Sequence, residues 1–506
     1  MNDPAPLIGD APEHAERNQW LWSAFARSVR DNMVAEFVVQ ALRVGGMVVL
    51  ARALSPNDFG LFKILVVVST FAMLVNDAGI PAALIQRRDL TPAHHATAWW
   101  MSIGLALLTT GLLYGGAPAL AQFMKMPELT QGLRLLCIPF FLEGAAITAN
   151  ARLRRDLRFG ALAAADVLAE CAFLAVALVL LWYRMPTWSL AGGLAARFGV
   201  HATTILFAGG KTPIGLPTAA AARDLGHFAT KVLGGRTVDA LSSNVDFLLI
   251  GRLLGSSALG FYSMAWDLLR FIPDRIFQIA GRVTLPTFCH LQDDTDQLAK
   301  AYLNFSGYLS RIILPIVGCA AIAAPELIKI IYGPKWIPAA MPMQLLACGL
   351  LLVGLRLAIG SVYYAKNHPE FDFYVHAVRL VLVVVTIFGL ARTGLVGVSM
   401  GRSAVEVVMS IAGQWLVCVL LGIGLKDLVV AIIPGARLAL MCAIAVIAGK
   451  VTASACGTEG IATLILIMGP PAIVYCWRES STAMRMFGDT FGRGETRPIV
   501  VAQELQ

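Results

Sequence analysis

A chain of 506 residues with 57% hydrophobic and only 14% charged residues is not an ordinary soluble protein, which carries ~25% charged residues. Its mean hydropathy of +0.70 calls for a bilayer to cover so much apolar surface. The net charge of +8 and pI near 9.1 suit an anionic leaflet and argue against nucleic-acid binding, because no soluble basic domain is present to do it.

In chain order, residues 1–19 lack an apolar h-region, so no cleaved leader is expected. "QWLWSAFARSVR" then sets Trp20, Leu21, Ala24 and Phe25 on one helical face with Arg27 and Arg30 off it. This is either a short helix lying on the membrane surface or an extension of the first span. Apolar runs of about 20 residues cross ~30 Å of hydrocarbon. Fourteen such cores follow: 32–52, 61–82, 96–121, 130–149, 161–183, 187–208, 228–251, 257–282, 303–323, 338–363, 372–391, 394–421, 425–449 and 459–477. The fold class expected is therefore an all-α polytopic membrane protein, and no long apolar alternation supports a β-barrel. Basic residues concentrate in alternate loops, with "ARLRRDLRF" on the amino-terminal side of the membrane. That bias predicts both termini to be cytoplasmic. The nine cysteines are scattered without a C-x-x-C pair and read as small apolar fillers, not as a disulfide or metal framework.

The chain repeats itself. "ARALSPNDFGLF" (51–62) aligns without a gap on "GRLLGSSALGFY" (251–262), placing Arg52 on Arg252, Leu54 on Leu254 and Gly60 on Gly260. "APALAQFMKMPELTQGLRLL" (117–136) likewise resembles "APELIKIIYGPKWIPAAMPMQLL" (324–346). The first pair is separated by six spans, so both copies point the same way: two parallel six-helix repeats plus two carboxy-terminal helices. The expected organisation is a tail at 1–30, a first lobe at 31–210, a linker at 211–226, a second lobe at 227–423, two further spans at 424–478 and a tail at 479–506. Within the first copy, Ser55 is a helix N-cap with Asp58 three residues on, and Pro56 takes the first helical position. A well-made membrane turn explains every residue there.

Ionisable residues inside the spans carry more information, because hydrocarbon makes them costly unless they face a cavity or one another. Glu36, Gln40 and Arg43 share one face of the first span. Arg236, Asp239, Ser243 and Asp246 share one face of the seventh, and Asp267, Arg270 and Asp274 one face of the eighth, where Pro273 predicts a kink. Spacing allows the pairs Arg236–Asp239, Asp267–Arg270 and Arg402–Glu406, so structural ion pairs are one reading. The other is a wet, cationic cavity for a phosphate or carboxylate, with Arg43, Lys63, Lys231, Arg236 and Arg270 as candidate substrate-binding residues. Asp77, Asp239, Asp246 and Asp267 are the candidates for handling a coupling ion. No catalytic residues, metal site or cofactor are expected. "ILFAGGKT" has Ile205 where a phosphate-binding loop needs Gly, and neither H-E-x-x-H nor G-x-S-x-G occurs.

"LARALSPNDFGLF", "DAGIPAALIQRRDLT", "ARLRRDLRF" and "NVDFLLIGRLLGSSALGFYSMAWDL" together resemble the polysaccharide exporters of the MOP superfamily, nearest to the Wzx-type (PST-family) flippases for lipopolysaccharide and exopolysaccharide. The likeness spans roughly residues 20–450. It implies two six-helix bundles around a central cavity and alternating access driven by a proton or sodium gradient. The implied cargo is an undecaprenyl-pyrophosphate-linked oligosaccharide, moved between leaflets of a bacterial inner membrane among membrane lipids, a polysaccharide polymerase and glycosyltransferases. Export of another lipid-linked precursor (lipid II, teichoic acid) or of drugs is the alternative. A membrane glycosyltransferase or polymerase is disfavoured by the short outer loops.

Overall fold

Inside a bilayer each backbone N–H and C=O must be satisfied within the protein, which leaves helices as the solution for a chain of this pattern. The computed structural model describes residues 34–86, 91–210, 215–353, 356, 358–368, 370–458 and 460–491, and among them there is no strand. The amino-terminal surface helix expected at 20–30 lies outside the described residues.

The helices are α1 (Val34–Ala53), then α2 (Pro56–Asp77), α3 (Ile80–Gln86), α4 (Pro92–Met124), α5 (Leu129–Arg155), α6 (Phe159–Trp182), α7 (Pro186–Ala208), α8 (Ala219–Leu254) and α9 (Ser256–His290). After them come α10 (Thr295–Ile322), α11 (Ala324–Ile331), α12 (Ala340–Val353), α13 (Ile359–Ala365), α14 (Glu370–Leu390), α15 (Gly394–Leu421), α16 (Leu425–Ala455) and α17 (Ile461–Phe491). Among the described residues, 10 stretches are long and apolar enough to cross a membrane, one of them (Glu370–Leu421) holding both α14 and α15. Each of the fourteen expected cores coincides with helix over most of its length. The charge-rich α8 and α9 fall outside the ten although they are 36 and 35 residues long. Helix α9 continues through Pro273.

The described residues pack as two units: one through Met264 together with Phe373–Gly401, the other from Ala265–Asp372 and Arg402 onward. In the first, α4 lies along α5, α5 along α7, α6 along α7, and α2 against α8. Small residues let the backbones approach, as they must where helices cannot be driven together by water. A Cβ on Gly144 of α5 would meet the Cβ of Ala106 on α4 at 2.3 Å. In the second unit α10 packs on α16 and α16 on α17, around a cluster that includes Cys319, Leu438, Cys442, Val446 and Ile467. Asp294 caps α10 by accepting from the Gln297 N–H at 2.9 Å, and that bond holds its carboxyl below the ordinary carboxylate value.

The repeated motif forms the turns α1–α2 and α8–α9. Ser55 caps α2 through a complete capping box: its hydroxyl accepts from Asp58 N at 3.3 Å, and the Asp58 carboxylate accepts from Ser55 N at 3.0 Å. At the equivalent position of the second copy stands Gly255 with φ +89°, a left-handed turn that a side chain would strain. The two copies pack on each other reciprocally. A Cβ added to Gly60 would lie 1.9 Å from Ser256 O, and one added to Gly260 would lie 1.9 Å from Pro56 O. The Ser256 hydroxyl also donates to the Asn57 side chain. Positions 56 and 256, and 60 and 260, are the same places in the repeat, so a local pseudo-two-fold axis relates them. The other repeated segment lies in each case after the third helix of a half. It is a left-handed turn at Lys125 (φ 58°) in the first copy, and α11 followed by Gly333 (φ 102°) in the second.

Gly60→Ala and Gly260→Ala should each destabilise the purified protein by about 1–3 kcal/mol through overpacking against backbone. Gly45→Ala, on α1 with no atom within 4 Å of the new Cβ, should be neutral or stabilising. Thermal unfolding in detergent distinguishes them; equal midpoints for all three variants would show that the seam is not tight.

Candidate functional site: a charged cavity in the first unit

The first unit forms an open cavity of about 810 Å³. Its walls come from five elements, and each brings polar groups or the apolar surface between them. Helix α2 supplies Ser69, Thr70 and Asp77; the start of α3 supplies Pro81 and Ala82; α5 supplies Glu143, Asn150 and Arg154; α7 supplies Arg197; α8 supplies Arg236 and Asp239. The spacings follow helix geometry. Glu143, Ile147, Asn150 and Arg154 fall at i, i+4, i+7 and i+11, one stripe of α5. Val66, Ser69, Thr70, Met73 and Asp77 do the same on α2.

Three guanidiniums and three carboxylates line the walls, so the lining is charge-balanced and its cations are held by partners. Arg236 pairs with Asp77 across α8 and α2. Arg197 lies 3.7 Å from Glu170, which is 3% exposed and also holds Arg43 at 3.1 Å. Thus one buried carboxylate on α6 serves two arginines, on α1 and α7. Arg154 donates through Nε to Asn150 Oδ1 at 2.7 Å, one helical turn away, and is exposed. Its neighbours at the arginine-rich end of α5 and in the turn after it do different work. Arg158 donates to Ala208 O at 3.1 Å, Arg155 to Leu84 O at 3.0 Å and Arg152 to Gly210 O at 3.4 Å. These cations satisfy carbonyls at helix ends, where the dipole favours positive charge. Glu143 accepts from the His201 ring at 2.7 Å, and Asp239 faces His376 of α14 at 3.7 Å.

Of the residues expected from sequence, the structure brings Asp77, Arg236 and Asp239 together at the cavity. Arg43 is one step behind it, through Glu170. Lys63 sits with its ammonium 4.3 Å from the Phe247 ring centre, a cation–π contact. Asp246 is buried and accepts from the Tyr262 hydroxyl at 3.0 Å. The Lys231 side chain lies outside the described residues. Arg270 and Asp267 belong to the second unit: Arg270 grips Asp274 at 2.9 and 2.7 Å and stacks on Trp266, and Asp267 is exposed. Arg236 takes Asp77 instead of Asp239, and Arg270 takes Asp274 instead of Asp267, although spacing allowed both pairs. The Arg402–Glu406 pair does form, and Glu406 also holds Arg356 at 2.9 Å. Sequence reasoning missed Glu143 and Asn150, and it left Arg154 in a loop. A lone Glu in "FFLEGAA" was the available signal, since a carboxylate in an apolar span marks a site by default.

Long apolar helices around a charged, accessible cavity define a membrane-embedded helical protein with a polar interior. Its fold is similar to that of the lipid II flippase MurJ in an inward closed conformation (TM-score 0.67, 12% identity, 91% of this chain and 99% of that one). It is also similar to an inward-facing MATE-family multidrug resistance transporter of the MOP superfamily (TM-score 0.65, 16% identity, 77% and 98%). Residues 49–341, more than half of the chain, match the family described as polysaccharide biosynthesis protein, and the chain belongs to that family. Among curated proteins it is similar to the teichuronic acid biosynthesis protein TuaB of Bacillus subtilis (strain 168), 26% identical over 362 residues, 71% of this chain and 75% of that protein. It is similar as well to the lipopolysaccharide biosynthesis protein WzxC of Escherichia coli (strain K12), 23% identical over 386 residues, 75% and 77%. The resemblance to Wzx-type exporters therefore holds.

Glu170→Gln removes the shared partner of Arg43 and Arg197. Breaking a fully buried pair costs ~3–5 kcal/mol; both guanidiniums here are more than a third exposed, so about 2 kcal/mol is expected after screening. Chemical unfolding of the detergent-solubilised variant checks this, and Arg43→Met combined with Glu170→Gln should recover part of the loss.

Proposed function

We propose that this chain is a flippase that carries a lipid-linked oligosaccharide, joined through pyrophosphate to an undecaprenyl-type tail, from the inner to the outer leaflet of a bacterial inner membrane. The observation that carries the reading is the placing of Arg154, Arg197 and Arg236 on three helices around one cavity in a member of a polysaccharide biosynthesis family. Guanidinium recognises phosphate through paired hydrogen bonds. Arg236 is half exposed, and among the described residues Arg154 has only an amide oxygen to exchange for a phosphate oxygen. Asn150, Ser69 and Thr70 offer the neutral donors and acceptors that sugar hydroxyls use. The names of the relatives, for teichuronic acid and lipopolysaccharide, favour a saccharide cargo, and the fold shared with a lipid II flippase favours a lipid-linked one.

Arg154 at the arginine-rich end meets the pyrophosphate first. Arg197 and Arg236 then exchange carboxylate partners for it, and the lipid tail stays in the bilayer. With both termini cytoplasmic, as the loop charges predict, that end of the cavity faces the cytoplasm. A proton or sodium gradient supplies the drive. The second reading is export of cationic drugs; what favours it is the trio Asp77, Glu143 and Asp239 on the same walls.

Transport of a fluorescent lipid-linked saccharide in vesicles tests the proposal. Arg154→Ala and Arg197→Ala should each lower the rate by at least about tenfold, the loss of one charge-assisted contact at ~1.5–3 kcal/mol, with insertion and expression retained. Arg270→Ala, in the other unit, separates this cavity from a wider cationic path. Full transport by Arg154→Ala and Arg197→Ala together would remove the anion reading, and raised tolerance of cationic drugs on overexpression would install the second one.

A further inference from the structure

We propose that His201, held between Glu143 and Asp166, is a protonation site whose proton binds together with the anionic part of the cargo. The inference rests on the reading that an anion occupies the cavity.

His201 lies on α7 and touches carboxylates on both neighbouring helices. Its Nδ1 is 2.7 Å from Glu143 Oε1 on α5, and its Nε2 is 3.7 Å from Asp166 Oδ1 on α6. A neutral imidazole has one N–H, so with that proton given to Glu143 it turns a lone pair toward Asp166. A protonated ring keeps the bond to Glu143 and sets a positive N–H at ion-pair distance from Asp166. The surrounding charges point the same way. One turn back on α7 is Arg197, held by Glu170 of α6, which is shared with Arg43 of α1. From α2, Asp77 reaches the same cavity but is neutralised by Arg236 of α8. Two guanidiniums, Arg43 and Arg197, therefore face three carboxylates, Glu143, Asp166 and Glu170. With His201 neutral the cluster holds one excess negative charge, and with His201 protonated it balances.

The site is also connected in the right directions. Glu143 and Arg197 line the cavity, so the cluster senses what binds there. The Asp166 side chain is 62% exposed about two turns into α6, which gives the proton a route that avoids the cargo. When an anion engages Arg197, that guanidinium loosens from Glu170 and fresh negative charge arrives beside Glu143. Both changes favour a proton on His201. Coupling is reciprocal, so loss of the proton must weaken the anion by the same factor. The proton comes from water and stays on the imidazole; no bond to the cargo forms or breaks. None of the carboxylates expected from sequence to handle an ion takes part directly.

The test is isothermal titration calorimetry of the full-length protein in detergent with farnesyl pyrophosphate as probe, in buffers of differing ionisation enthalpy. Wild type should take up about one proton more per ligand bound than His201→Gln or Glu143→Gln. Its affinity should fall by on the order of tenfold per pH unit where the site titrates. His201→Lys, with a permanent charge, should keep the tight, acid-side affinity at all pH values, which a purely structural histidine would not produce. Glu143→Gln and His201→Lys carry the test if His201→Gln does not fold. Equal proton uptake by wild type and both neutral variants, with binding intact, overturns this inference and leaves the anion site standing. Absence of probe binding to wild type, or undiminished binding by Arg154→Ala and Arg197→Ala, overturns the anion site and this inference with it.

Discussion

A charge left without a partner in hydrocarbon is too costly to keep, and the polar interior of this protein is arranged around that constraint. Each guanidinium described above has found an acceptor or an aromatic face. Arg43 and Arg197 share Glu170, Arg356 and Arg402 share Glu406, and Arg236 takes Asp77. Arg152, Arg155 and Arg158 reach the carbonyls that helix ends leave open. The pairings differ in what they permit. Arg402 is 1% exposed and sealed with its partner, whereas Arg236 is 53% exposed at the cavity wall. The proposed flippase would need the second kind at its cavity and the first kind in the scaffold that holds it.

The close seam between the repeated turns is the other constraint. Gly60 and Gly260 bring the first turns of α2 and α9 backbone against backbone, so the α1–α2 and α8–α9 turns are set relative to each other by main chain and not by adaptable side chains. From those turns α2 runs on to Asp77, and α8, which leads into the second turn, carries Arg236 and Asp239. The cavity wall is thus tied at one end to two positions where only hydrogen fits. This is a packing role for glycine, different from the conformational one at Gly255. A duplicated sequence has produced a pseudo-symmetric contact between its own copies, as identical surfaces do in two-fold dimers.

Local features were legible in the chain. The capping box of Ser55 and Asp58, Pro56 at the first turn, the helical character of every apolar run and the repeat itself all depend on residues a few positions apart, or on a pattern that can be aligned. So was the presence of ionisable residues inside the spans, several of which line the cavity. Partner choice was not legible. Spacing offered Asp239 to Arg236, but Asp77, 159 residues away in the chain, lies nearer in space. Spacing allowed Asp267 to Arg270, but the i+4 Asp274 holds it. Glu143 was the single carboxylate of its span, and only the packing of α5 against α7 revealed that it answers His201.

The sequence by itself determined that this is a membrane-embedded helical protein with an internal repeat, an arginine-rich end and ionisable residues inside its spans. It also carried the family, because the motifs around the two turns are continuous segments. Tertiary structure alone decided which of those charges share a cavity, which are locked away, and that the cavity lining is balanced and not simply cationic. The reason is physical. Hydropathy and caps are sums over neighbours in the chain, whereas an ion pair forms between whichever groups the helix packing brings within a few ångströms, and small-residue contacts such as Gly60 on Ser256 decide that packing.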